Sequence, residues 1–396
     1  MNRFVIGIGA AISLLIATDL IIHRTDGDSL IVSLTQIEEI TFPTVNDTTY
    51  LISGDSLSVP LSQIDKITFS NVNDTPPTAD TILVYPGDDI NSIVDNNPEG
   101  TTFIIKSGIH SMQEIWPKNG NTFWGETGAI LNGARVLTVF VQEGGLYYAP
   151  DQTQEGWYPS SDICLEGWER CNRPEDLFFD NEPFRHVTSL EDVATGKWFF
   201  DYEADRIYFA DDPIDHSLET SVTNIAFIDN SNNVTIQNLI IEKFASSIGH
   251  GAVGYNGSSS GWIVEGNEIR LNHGNGIVVG SNSVVRENYI HHNGNFGIEA
   301  GAVEGISRVS NILYEANEIS YNNYAHVMMI FGGGGTKFSL SDDIRVIGNY
   351  VHHNLDCLHH KDLDFLLPYC KHMIVPYNNM FYGLPNAYFL RQSGLL

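Results

Sequence analysis

The sequence predicts an all-β chain whose larger part winds as a right-handed parallel β-helix. One short pattern recurs, as GNEIRLN (266–272), ENYIHHN (287–293), ANEISYN (316–322) and GNYVHHN (348–354). Each copy reads asparagine, one residue, Ile or Val, two residues, asparagine. The first asparagines, Asn267, Asn288, Asn317 and Asn349, lie 21, 29 and 32 positions apart. Between them run short β-branched segments and glycine turns with no helical period. A minimum period of 21 residues, lengthened in some turns, describes a stacked solenoid.

Asparagine tolerates the left-handed backbone of a sharp corner. Stacked on its equivalent at a strand spacing of about 4.8 Å, its amide can hydrogen-bond along the column. A degenerate copy, TIQNLIIEKF (235–244), carries Leu239 and Phe244 at the asparagine positions. In register, Val264, Val285, Tyr314 and Val346 form one inward column, and Ile269, Ile290, Ile319 and Val351 a second. Ile277, Ile298 and Val327 form a third. Glu265, Arg286 and Glu315 form an outward ladder of alternating sign.

The other elements follow in chain order. Residues 1–17 carry one basic residue and an apolar run too short for a comfortable span, and read as a signal peptide. Within 18–70, GDSLIVSLTQIEEITF (27–42) recurs as GDSLSVPLSQIDKITF (54–69). The copies alternate apolar and polar residues and read as paired β-hairpins. Residues 71–80 are a linker by composition. The solenoid then occupies 81–354, interrupted at about 144–213 by an aromatic-rich β insertion. Of Trp157, Tyr158, Trp168 and Trp198, most are expected to build its own core, with stacking on sugar rings as the alternative. Cys164 and Cys171 suit a disulfide in an exported protein. After Asn354 the pattern stops, with His359 where an apolar inward residue is due. Residues 355–396 are therefore expected to be an irregular, aberrant or truncated end.

The region 81–354 resembles the secreted right-handed parallel β-helix family that includes pectate-lyase-like proteins. The repeats at 27–42 and 54–69 resemble those of exported Bacteroidetes-type proteins. The resemblance implies a secreted, periplasmic or cell-surface protein acting on polysaccharide as a lyase, glycoside hydrolase or epimerase. The alternative is a non-catalytic glycan-binding or adhesion protein, because fold alone does not fix function.

Acidic residues outnumber basic ones 49 to 20, a formal net charge of −29. That charge argues against nucleic acid as a partner. No membrane contact beyond the signal peptide is expected, and the chain is expected to be a monomer. No cofactor or metal is assigned; Ca²⁺ would enter only with an acidic polysaccharide.

Function in a solenoid sits in loops projecting from one flank. The extra residues fall in 254–261, 299–310 and 330–343. They offer Glu299, Glu304, Lys337 and, nearby, His326 as catalytic candidates. Tyr255, Arg308 and His250 are the substrate-binding candidates. Carboxylate pairs serve glycosidases, whereas a base beside a cation serves a lyase or epimerase. GGGGTKF (332–338) reads as a glycine-rich loop, and His326 as the counterpart of Gly276 and Gly297. The repeated histidine pairs, His291–His292 and His352–His353, read as architecture. Neighbours on a strand point to opposite faces, so the members of a pair are not expected to meet.

Overall fold

The computed structural model describes residues 81–354, apart from 301–307, 329–332 and 339–340, together with the backbone of strands between 19 and 70 and between 356 and 381. The signal-peptide segment 1–17 lies outside the described residues. The chain divides into two units, Met1–Thr78 and Ala79–Leu396.

In the first unit, Asp19–Arg24 pairs antiparallel with both Ser29–Ser33 and Ile64–Ser70. Thr49–Ile52 pairs with Glu39–Thr41 and Ser56–Val59. Each sequence repeat thus sends its two strands to different sheets instead of closing on itself as a hairpin.

The second unit is a right-handed parallel β-helix. Its first sheet stacks Thr81–Val84, Thr102–Ile105, Thr122–Gly125, Thr235–Gln237, Ile263–Glu265, Val284–Arg286, Val309–Glu315 and Ser341–Ile347. The second stacks Gly108–Ser111, Ala129–Asn132, Ile240–Glu242, Glu268–Arg270, Tyr289–His291, Glu318–Ser320 and Tyr350–His352. The third stacks Gly251–Val253, Asn275–Val279, Phe296–Ala300, Gly334–Phe338 and Asp356–His360. At the N-terminal end, helix Ile90–Asp95 is capped by Asp89, which accepts from Ser92 N at 3.0 Å, satisfying a donor that the helix leaves open. Its Ile90 and Val94 are fully buried in the solenoid core.

The first two inward columns pack as read, one rung on the next. All eight of those side chains are buried. The third column is Ile277, Ile298 and Thr336, so Val327 does not belong to it. By the same register Gly335, and not His326, follows Gly276 and Gly297. A Cβ on Gly276 would lie 2.8 Å from Gly297 O, and one on Gly297 would lie 2.9 Å from Gly335 O. Gly334 and Gly335 are therefore part of a strand in a tight place, not of a loop. Past residue 354 the parallel register continues, with Leu358 beside Thr336 and His359 beside Lys337. The later strands Phe365–Pro368, His372–Ile374 and Asn379–Phe381 pair antiparallel with the solenoid.

Two asparagine ladders run inside the corner region. Asn267, Asn288, Asn317 and Asn349 are linked Nδ2 to Oδ1 at 3.0, 2.9 and 2.8 Å. Asn272, Asn293, Asn322 and Asn354 are linked at 3.0, 2.9 and 3.0 Å. The left-handed residue, however, is the one before each ladder asparagine. Gly266, Glu287, Ala316 and Gly348 have φ between 53° and 65°, and Leu271, His292, Tyr321 and His353 between 49° and 56°. The asparagines hold the corner by hydrogen bonding, while their predecessors make the turn.

That left-handed step also corrects the reading of the histidine pairs. Alternation holds only in extended backbone. His292 and His353 have φ of 49° and 51°, so each swings back toward its predecessor. Nδ1 of His291 lies 2.7 Å from Nδ1 of His292, and His352 and His353 repeat the contact at 2.7 Å. The buried member is His291 or His352, and the one on the exposed corner is His292 or His353.

The insertion begins with Ala134–Leu137 and closes with Leu218–Ser221, antiparallel strands that form its stem. A second antiparallel set joins Val141–Glu143, Leu146–Ala149, Arg206–Phe209 and Lys197–Asp201 around Trp198, Phe200 and Phe209. Cys164 and Cys171 form a disulfide. The loop they close packs on the solenoid, where Ile248, Ala325 and Val327 meet Cys171, Trp168 and Ile163.

Candidate functional site

The outer face of the third sheet carries the chemistry. In the register Val278, Glu299, Lys337, the side chains alternate with the inward column and point away from the core. Lys337 Nζ lies 2.9 Å from Glu299 Oε1. The second carboxylate oxygen, Oε2, accepts from Asn275 Nδ2 at 2.7 Å. Asn275 in turn accepts from Phe296 N at 3.1 Å, which fixes the amide orientation. Lys337 Nζ stands 5.3 Å from the Phe296 ring centroid. Both charges are mostly shielded, so each depends on the other.

Two rungs before Glu299, at the ends of strand Gly251–Val253, three rings meet around His250. The Tyr255 ring stacks on His250 at 3.9 Å between centroids, and Trp157 meets His250 edge-on at 5.8 Å. Trp157 and Tyr255 remain 65% and 40% exposed, so their outer surfaces are open to a ligand. Tyr255 is placed by Asp229, whose carboxylate accepts from Tyr255 N at 2.9 Å and Ser258 N at 2.7 Å. The turn needs Gly254, at φ 79°, because a Cβ there would lie 1.9 Å from Val278 O. Trp157 arrives from the insertion, and its carbonyl accepts from the Ser247 hydroxyl. Burial pushes the His250 imidazole below its ordinary value, an effect that the charges of Glu299 and Asp229 partly oppose. His250 is therefore neutral at neutral pH and can accept a proton.

The structure thus places Glu299, Lys337, His250 and Tyr255 along the third sheet, the last two beside its first strand and the ion pair two and three strands on. Arg308 sits at the edge of the first sheet, where its guanidinium forks onto Asp342 at 2.7 and 3.0 Å. His326 stacks on Trp168 at 3.7 Å, and Arg185 covers the Trp168 ring at 4.7 Å. These three rings and side chains join the insertion to the loop before the third-sheet strand. Glu304 lies outside the described residues. Among the described residues no group of three His, Cys, Asp or Glu side chains could hold a metal ion.

Sequence reading missed Asn275 and Asp229. Asn275 and Asp229 have no motif of their own, and the partners they organise are 24 and 26 residues away. Of the insertion's aromatics, Trp198 is core as expected, but Trp157 and Trp168 reach the solenoid.

Comparison with known proteins agrees with this architecture. Residues 251–383 match the family model described as the right handed beta helix region. No curated protein matches the chain. A solved structure described as XylC in complex with xylose superposes with a TM-score of 0.58 at 15% identity, over 71% of this chain. The chain spans only 60% of the length of that structure. A structure described as a glycoside hydrolase gives a TM-score of 0.48 at 9% identity, covering 74% of this chain and 81% of that one. A family 28 exopolygalacturonase of Yersinia enterocolitica gives 0.33 at 12% identity, over 76% and 57%.

Proposed function

We propose that the protein is an exported, carbohydrate-active β-helix protein that takes a polysaccharide across the outer face of the third sheet and degrades or modifies it there. The observation that carries this reading is the exposed ring group Trp157, His250 and Tyr255 on the same sheet as the Glu299–Lys337 pair, two strands before Glu299. Exposed aromatic faces suit the apolar faces of sugar rings, and their polar edges suit hydroxyl groups. In this reading Trp157 and Tyr255 hold the sugar and neutral His250 accepts a proton. Lys337, three strands further on, meets the polysaccharide at a later position along the face. The likeness to the xylose complex is one of fold and supports the reading only to that extent.

A second reading, binding without turnover, is favoured by one observation. Both oxygens of Glu299 are engaged, one by Lys337 and one by Asn275, so the carboxylate already serves a structural ion pair. The two readings separate in one experiment on the full chain. Neutral and acidic polysaccharides are incubated with the protein, with and without calcium, while reducing ends and the absorbance of unsaturated sugars are followed. Proton exchange by NMR detects an epimerase. Turnover lost in His250→Ala supports the enzyme; retention on a glycan gel without turnover supports the binder. Neither turnover nor retention overturns both.

A further inference from the structure

The second sheet carries a repeated arrangement that the third-sheet site does not use. His291 and His292 meet with Nδ1 atoms 2.7 Å apart, ring centroids 5.0 Å apart and planes at 87°. That centroid separation is what two ring nitrogens need when their lone-pair axes lie nearly on one line. His352 and His353 repeat all three values. Behind each pair stands a carboxylate. Glu268 Oε1 lies 3.2 Å from His291 Nε2, and Glu318 Oε1 lies 3.3 Å from His352 Nε2. An ionised carboxylate only accepts, so the proton sits on Nε2 and Nδ1 presents its lone pair to the partner. Tyr289 and Tyr350 hold the buried rings by stacking at 3.9 and 4.2 Å.

We propose that each histidine pair binds one monovalent d10 metal ion, Cu⁺ or Ag⁺, in a line between the two Nδ1 atoms. Imidazole is a good donor for copper, and a carboxylate behind a ligating histidine fixes its tautomer and raises its basicity. The head-on approach selects the ion: a tetrahedral ion such as Zn²⁺ needs donors that converge at an angle, whereas a linear ion accepts them opposed. A metal–imidazole bond of about 2 Å sets the nitrogens about 4 Å apart. The pair therefore opens outward, at His292 or His353, the members on the exposed corner. On binding, the Nδ1 proton of that member moves to its Nε2, so no proton is lost. The two sites stay separate, because Tyr321 stacks between His292 and His353 at 5.0 and 4.9 Å.

The test uses the full chain with Cys357 and Cys370 changed to Ser, so that no thiolate at those positions can compete for the same ions. Ag⁺, and Cu⁺ without oxygen, are added against a competing chelator, and bound ions are counted by native mass spectrometry. Two ions per chain are expected, one in His292→Ala and none in His292→Ala/His353→Ala. Glu268→Gln is expected to weaken one site several-fold and leave the other unchanged. Circular dichroism checks that the variants keep the wild-type fold. A stoichiometry unmoved by the double substitution, or loss of all ions to the chelator, overturns the proposal. Equal retention of Zn²⁺ overturns the linear geometry.

Discussion

Glu299 and Lys337 stand opposite each other on neighbouring third-sheet strands, Nζ 2.9 Å from Oε1, with side chains 11% and 15% exposed. Removing one partner leaves the other charge buried and unmatched. Lys337→Met is expected to lower stability by about 3 kcal/mol in urea unfolding. Adding Glu299→Gln to it should restore part of that loss. Strictly additive single effects would contradict the pairing.

The middle of the ladder should be its most sensitive point. Asn317 donates to Val285 O and Asn349 Oδ1, both at 2.8 Å, and accepts from Asn288 N and Nδ2 at 3.1 and 2.9 Å. Asn317→Ala strands these buried groups and is expected to cost about 3 kcal/mol. Glu287, exposed on the left-handed corner just outside the same ladder, should gain from Glu287→Gly, which relieves the strain at φ 58°. Thermal melts of both variants check the contrast.

Acid should find His186. Its ring stacks on Trp198 at 4.0 Å, and both ring nitrogens are shielded from solvent with no hydrogen-bond partner among the described residues. Burial first, then the charges of Arg170 and Arg173, hold its pKa well below the ordinary value. The unfolded chain takes up a proton near pH 6.5 while the folded one does not. The stabilising contribution is thus complete above that pH and is lost as pH falls toward the folded value. His186→Phe should therefore gain on the wild type as pH drops from 7 to 5, measured by urea midpoints. A pH-independent difference between the two would show that His186 does not titrate in this way.

Glycan retention should depend on Trp157 and Tyr255 with little effect on stability. Each is partly exposed, so Trp157→Ala and Tyr255→Ala should leave the melting temperature nearly unchanged. Each should weaken binding about fivefold to tenfold, the scale of one aromatic contact. Affinity electrophoresis in a glycan-containing gel reads the change. Equal loss of binding in Tyr85→Ala, an exposed tyrosine just past the first strand of the first sheet, would mean that the effect is not specific.

The disulfide loop should undock without melting the solenoid. Cys164–Cys171 closes a short loop whose contacts to the solenoid include Leu165 N to His326 O at 3.0 Å and Met328 N to Ile163 O at 2.7 Å. Reduction is expected to remove roughly 2 kcal/mol of local stability. Limited proteolysis should then cut within 157–171 first, while far-ultraviolet circular dichroism keeps its β signal.

What was legible in the sequence was whatever repeats at short range. The spacing of Asn267, Asn288, Asn317 and Asn349 gave the winding, the ladders and two inward columns, because one residue type must recur at one place in every rung. The third column slipped, since the turn before Gly334 is longer than its equivalents and the spacing no longer counts the register. Glu299 was found as the first residue past the inward position and Lys337 as a separate candidate, but not that the two pair, nor that Asn275 holds the carboxylate. Lys337 is 38 residues on along the chain, and only the parallel pairing of Phe296–Ala300 with Gly334–Phe338 makes them neighbours. The histidine pairs failed for a backbone reason, the left-handed φ at His292 and His353, which no side-chain pattern announces.

The asparagine ladders also give the solenoid a direction. In both, every Nδ2 donor belongs to the earlier rung and every Oδ1 acceptor to the later one. The carboxamide dipoles are therefore aligned head to tail along the axis, as peptide dipoles are in an α-helix. The N-terminal face of each column offers carbonyl oxygen, met here by Leu239 N and Phe244 N at 3.0 Å. The opposite face offers N–H. A rung added at one end needs a chemistry complementary to that needed at the other, so the stack distinguishes its two ends and cannot be extended equally from both.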